Sequence, residues 1–117
     1  MMASGAMKHH DLLSGFVRLH ILHHAAEGEI YGQWIIEELA RHGYRLSPGT
    51  LYPMLQAMET RGYLASREET EARAGRPRRV YTATKLGREG LAVARKHLRE
   101  LIGEVGDNTR VQGRHAS

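Results

Sequence analysis

The stretch YRLSPGTLYPMLQAMETRGYL, Tyr44 to Leu64, decides the fold, because it carries helical spacing and helix-breaking residues together. Leu51, Leu55 and Met58 recur at i, i+4 and i+7, one face of a helix, and Gly62 ends the pattern. Pro48 and Pro53 lie in the same stretch, with Gly49 between them. The first four N–H groups of a helix have no internal partner, so proline is tolerated in the first turn and costs about 3 kcal/mol or more further in. The helix must therefore begin abruptly, close to the prolines. Two starts satisfy this. With Thr50 as N-cap, Pro53 takes the third helical position and loses nothing; with Ser47 as N-cap, Pro48 takes the favoured first position and Pro53 presses on the Gly49 carbonyl. Either way Thr50, Tyr52, Pro53, Gln56 and Thr60 fall on the outer side, which is polar and nearly uncharged.

Upstream, QWIIEELARHG predicts a short helix with Ile35 or Ile36, Leu39 and Ala40 on one face, Glu37 and Glu38 early, Arg41 late, and a stop at Gly43. Before it, Leu12, Phe16, Leu19, Leu22 and Ala26 recur at steps of three and four, predicting a first helix whose apolar face they form and which Gly28 closes. A helix ending in glycine, a short turn and a second helix with a sharp start make a helix-turn-helix, whose second helix lies in a major groove. Downstream, YLASRE and RRVYTAT predict two strands joined by ETEARAGRP. The tip of that hairpin is basic: Arg73, Arg76, Arg78 and Arg79 crowd it with no acid after Glu71, and guanidinium groups there can reach phosphates or a narrow minor groove.

Composition sets the frame. A chain of 117 residues, 41% hydrophobic, suits one compact domain. It has four more Lys and Arg than Asp and Glu, and its pI is about 9.8, which favours an anionic partner. The absence of cysteine excludes disulfides and thiolate metal or redox sites, so any metal must be held by His and carboxylates. No apolar run approaches the roughly 18 residues of a membrane span, and the start MMASGAMKHH lacks the apolar centre of a signal peptide, so a cytoplasmic protein without membrane partners is expected. Residues 1–10 are expected to be a flexible tail, 11–84 a winged helix-turn-helix, 85–106 a C-terminal dimerisation helix, and 107–117 a disordered tail.

The runs LSPGTLYPMLQAMETRGYL and GRPRRVYTATKLGREGL resemble the PadR family of bacterial winged-helix transcription regulators, over about Val17 to Leu101. The shared features are a Ser-Pro-Gly-Thr-Leu-Tyr-Pro run, a Gly-Arg-Pro wing and a Tyr-x-x-Thr-x-x-Gly junction into the last helix. The resemblance implies a mainly α fold with a small β-hairpin wing, dimeric through its terminal helices, and a repressor that binds a palindromic operator and is released by an effector. Matched residue by residue, it implicates Ser47, Gly49, Thr50, Tyr52 and Pro53 on the third helix and Arg76, Arg78 and Arg79 on the wing in DNA contact, with Tyr31 of IYG near the DNA backbone. Gln56 joins them through its place on the outer face. Gln33 departs from the family, where an aromatic is frequent. The short C-terminal extension resembles the short branch of the family, yet the final helix lacks the Trp with which some short members bind flat hydrophobic drugs.

After Thr84, a natural N-cap, Leu91, Ala94, Leu98, Leu101 and Val105 form a narrow seam widened by Ile102, with Arg95, Lys96, Arg99 and Glu100 flanking it, as for a helix that crosses to a second subunit. His20, His24 and Glu27 stand at i, i+4 and i+7 on the first helix, a spacing suited to a divalent ion, with His23 one turn before Glu27; the alternative is that they are ordinary surface or interface histidines. Trp34 is expected to be a packing residue. No cofactor is required by any motif, and a divalent metal ion or a small-molecule effector is the ligand class to test. An enzyme is not expected: SPGT lacks the following Lys of a phosphate-binding loop, and no nucleophile elbow or paired acids stand out. Two further readings are weighed against the repressor, a metal-responsive regulator and a winged-helix protein-interaction module, the latter calling for an apolar patch where this third helix is polar.

Overall fold

The computed structural model describes residues 8–70 and 77–106, the last two by backbone alone. Its elements run α1 (His10–Glu27), β1 (Ile30–Tyr31), α2 (Gly32–Arg41), α3 (Pro48–Thr60), β2 (Leu64–Glu69), β3 (Arg78–Ala83) and α4 (Lys85–Gly106). The strands form one antiparallel sheet in the order β1-β3-β2.

Both glycine stops are built the same way. Gly43 and Gly62 adopt φ of +91° and +90°, the left-handed region that glycine enters without penalty. Gly43 and Tyr44 donate N–H bonds to the carbonyls of Ala40 and Leu39, and Gly62 and Tyr63 donate to those of Glu59 and Met58. Each pair is a Schellman closure that satisfies the last carbonyls of α2 or α3 and turns the chain sharply.

Of the two starts open to α3, the chain takes Ser47. Its backbone is extended (φ −82°, ψ 161°), Pro48 occupies the first turn, and the N–H groups of Thr50 and Leu51 reach the Ser47 carbonyl at 3.0 and 2.9 Å. Pro53 therefore lies inside the helix, and the Gly49 carbonyl has no N–H four residues on to receive. Leu51, Leu55 and Met58 are buried as the spacing predicts, with Met54 beside them.

The first helix packs through a different face from the one expected. Val17, Ile21, Leu22 and Ala25 are buried, whereas Leu12 is 73% and Phe16 38% exposed, and Leu19 and Ala26 are only partly covered. The helix carries two apolar rows, and Val17, Ile21 and Ala25, at i, i+4 and i+8, form the one that meets the core. On α2 the choice falls to Ile35, buried with Leu39 and Gly32, and Ile36 is half-covered.

Thr84 caps α4 as predicted: the Gly87 N–H donates to its hydroxyl at 2.9 Å, and that hydroxyl donates to the Gly62 carbonyl. The Thr84 N–H also reaches the Tyr63 carbonyl, so the end of α3 and the start of α4 are tied together. The fit is close at Gly87, where a Cβ would run into the Tyr63 carbonyl oxygen. Backbone cannot yield there as a flexible side chain would. Gly87→Ala is therefore expected to destabilise the fold by about 1–3 kcal/mol, read as a lower urea midpoint at unchanged slope; an unchanged midpoint would show that α4 can shift at no cost.

Candidate nucleic-acid interface

The outer side of α3 is open. Tyr52, Pro53, Gln56, Ala57 and Thr60 are exposed, Tyr52 to 42%, and Gly49 is exposed at the start. Thr50 is half-buried and accepts a 3.3 Å bond from the Ser47 hydroxyl, which makes no cap to the helix backbone. Tyr52 is placed by α2: its ring lies over Gly32, where any Cβ would overlap it. A side chain at this position would have to push the Tyr52 ring off α2.

The wing is fastened to α3 by polar contacts that sequence spacing does not reveal. The Ser66 hydroxyl donates to the Glu59 carboxylate at 2.8 Å and accepts from the Arg79 guanidinium at 3.0 Å, linking α3, β2 and β3. One register pair further toward the hairpin tip, the Tyr31 hydroxyl and Arg78 both donate to Glu69, at 3.0 and 3.2 Å, and the Arg78 guanidinium lies 4.0 Å over the Tyr31 ring. The bond to Glu69 holds the Tyr31 phenol above its ordinary pKa. Glu59 and Ser66 thus hold the wing against α3, and Glu69 holds Tyr31 and Arg78 beside it.

That register also corrects the expectation of arginines without acidic neighbours. Glu69 pairs across the ladder with Arg78 and Glu68 with Arg79, and the ion pairs close at 3.2 and 3.6 Å. Exposed pairs of this kind contribute only about 0–1 kcal/mol each, so a phosphate can displace the carboxylate from either guanidinium. Arg76, like Arg73, lies outside the described residues. Between the wing and α2 is a cleft of about 580 Å³ lined by Tyr31, Gln33, Trp34, Tyr52, Arg78 and Arg79, among others. The N–H groups of the first turn of α2, at the positive end of its dipole, lie at this cleft. Trp34 is no core residue, being 38% exposed with its edge against the His24 ring at 5.2 Å.

The expected dimerisation residues divide. Leu91 is buried in the chain's own core, so it is not free for a partner. Ala94 and Leu98 are half-buried, Leu101 and Ile102 are 48% and 58% exposed, and the Val105 side chain lies outside the described residues. Between α1 and α4 runs an apolar groove of about 200 Å³, with Phe16, Leu19, Leu91 and Leu98 on its walls and His23 and Arg95 at its edge. Of the eight exposed large hydrophobic side chains among the described residues, six belong to α1 and α4.

The expected metal trio does not converge. His20 turns to the rings of His42 and Tyr44, at 5.0 and 5.2 Å, while His24 faces Glu38 at 3.6 Å and Glu27 faces His23 at 3.5 Å. Burial first, then neighbouring histidines, hold His20 and His24 below the ordinary imidazole pKa. Hydrogen bonding to Arg41 keeps Glu38 below the usual carboxylate range.

Four helices around a small antiparallel sheet, with the β2–β3 hairpin flanking α3, define a winged helix-turn-helix. Residues 21–93 match the transcriptional regulator PadR-like family. The chain is 56% identical over 89 residues to the transcriptional regulator Rv3488 of Mycobacterium tuberculosis, an alignment spanning 76% of this chain and 81% of that protein. It superposes on the crystal structure of a PadR family transcriptional regulator from Eggerthella lenta with a TM-score of 0.72, at 28% identity over 85% of this chain and 86% of that one. A transcriptional regulator from Clostridium thermocellum gives a TM-score of 0.70, at 26% identity over 84% and 93%. The chain belongs to the PadR-like family and is a transcriptional regulator. Among the described residues no helix is long and apolar enough to cross a membrane.

Proposed function

We propose that the protein is a repressor that binds duplex DNA in the cytoplasm as a homodimer, on a palindromic operator, and is released by an effector. The observation that carries this reading is the shared side of α3 and the wing: an uncharged polar helix face tied to a cationic hairpin through Arg79, Ser66 and Glu59. In this reading α3 enters the major groove, with Thr50, Tyr52 and Gln56 toward base edges and Ser47, Gly49 and Pro53 shaping its first turn. Arg76, Arg78 and Arg79 contact phosphates, and Tyr31 with the N-terminus of α2 holds the backbone beside the groove. The exposed apolar side chains of α1 and α4 form the subunit contact, which spaces two recognition helices on the operator.

The wing tests the DNA half of this reading. Arg78→Ala with Arg79→Ala should weaken binding to operator and random duplex alike and flatten the dependence of log K on log salt by about one unit for each arginine. Titration at several salt concentrations measures the slope. A slope equal to that of the unaltered protein would remove these arginines from the DNA backbone.

A further inference from the structure

Three histidines lie within five residues of α1. The structure selects a set among them that spacing alone does not. His23, His24 and Glu27 each bring a donor atom to within 4.8 Å of the others. His23 and Glu27 are one helical turn apart, with His23 Nε2 3.5 Å from the carboxylate, and the His24 ring stands edge-on to His23 at 4.9 Å. Donors around a tetrahedral zinc-like ion, at bond lengths near 2.1 Å, are separated by about 3.4 Å. Small rotations of the three side chains, Glu27 exposed and the two imidazoles half-buried, close the difference.

We propose that His23, His24 and Glu27 form a binding site for a divalent transition metal ion of the zinc class. The donor set, two imidazoles and a carboxylate, suits such an ion and leaves coordination positions for water or a further ligand. Behind it stands Glu38, held by Arg41 at 2.8 Å and facing His24 Nε2 at 3.6 Å, which leaves His24 Nδ1 for the ion. A carboxylate behind a ligating imidazole fixes its orientation and strengthens it as a donor.

Loading has a consequence for α4. The Arg95 guanidinium donates to His23 Nδ1 at 2.7 Å, so in this state the ring carries its proton on Nε2, beside Glu27. A neutral imidazole has one lone pair. To ligate through Nε2 its proton moves to Nδ1, the ring remains neutral, and Arg95 loses its acceptor. An ion on α1 thereby releases a cation of α4 at the edge of the α1–α4 groove.

The sole tryptophan supplies a readout, because Trp34 touches the His24 ring. Zinc titrated into the metal-free full chain should bind one ion per chain by calorimetry and change Trp34 fluorescence at the same stoichiometry, whereas magnesium should do neither. Glu38→Gln should weaken zinc binding about 10- to 100-fold, and His23→Gln or Glu27→Gln by more, with native circular dichroism in each case. His9→Gln with His10→Gln should leave the affinity unchanged. Zinc affinity that survives both His23→Gln and Glu27→Gln, or that disappears with His9 and His10, would overturn the assignment.

Discussion

Leu101→Asp together with Ile102→Asp is expected to yield a monomer and to weaken operator binding about 10²- to 10⁴-fold, the advantage a second tethered half-site provides. Both side chains are exposed, so the fold of the single chain has little to lose from the change. A subunit contact, by contrast, would have to desolvate two carboxylates against apolar partners, which no dimer of ordinary stability withstands. Leu98 is the less informative target, because it is half-buried against the chain's own α1 and its loss would mix folding with assembly. Val93→Asp supplies the control. Val93 is exposed too, and at 100° per residue it lies about 140° from Leu98 and about 180° from Ile102 but about 80° from Leu101, so it flanks the seam without entering it and dimers should persist. Sedimentation at a few concentrations decides; a Leu101→Asp, Ile102→Asp protein that remains dimeric would take the end of α4 out of the interface.

The first helix shows why this surface was only half legible. Periodicity finds apolar rows but does not say which row meets the chain's own core. Leu12, Phe16, Leu19, Leu22 and Ala26 have good helical spacing, yet Val17, Ile21 and Ala25 occupy the interior and leave Leu12 and Phe16 outside. A helix with two rows has two neighbours. Of the second row, expected to be core, Phe16 and Leu19 line the α1–α4 groove, Leu12 is exposed and Leu22 alone is buried, while Leu91 made the opposite exchange, from expected interface to core.

Elements closed by local chemistry were legible. Gly43 and Gly62 end helices because their closures require a left-handed residue, and Thr84 caps α4 through its own hydroxyl; both follow from a few adjacent residues. Contacts set by register were not. The strand Ile30–Tyr31 is too short for any period, and it becomes a strand only by pairing with Val80 and Tyr81. The carboxylates of Glu68 and Glu69 lie nine to eleven positions before their arginines in the chain, and only the ladder places them opposite. On α1, the i, i+4 spacing of His20 and His24 was matched by that of His23 and Glu27. The turn after α2 separates the two by drawing His20 to His42 and Tyr44, which leaves His23, His24 and Glu27 together.

The recognition helix carries the second large effect. Tyr52→Ala and Gln56→Ala should each reduce the preference for operator over random duplex by about 1–3 kcal/mol, the value of a lost base contact, while non-specific binding hardly changes. Both side chains are exposed, and native circular dichroism should be retained. Pro53→Ala separates geometry from contact. Pro53 occupies the sixth helical position counted from Pro48, beyond the turn in which a missing N–H is harmless. Alanine there restores a donor to the Gly49 carbonyl and removes the ring that presses on it, so the protein should become more stable by about 1 kcal/mol or more. If proline is retained because it shapes the first turn, that gain should come with a lower specificity ratio, since Tyr52 and Thr50 sit in the turn that would relax. Paired titrations of operator and random duplex at one salt concentration, alongside thermal unfolding, measure both quantities. A specificity ratio unchanged in Tyr52→Ala and Gln56→Ala, with the fold intact, would mean that another element reads the DNA; a Pro53→Ala protein that is more stable and equally specific would leave the proline without a role in recognition.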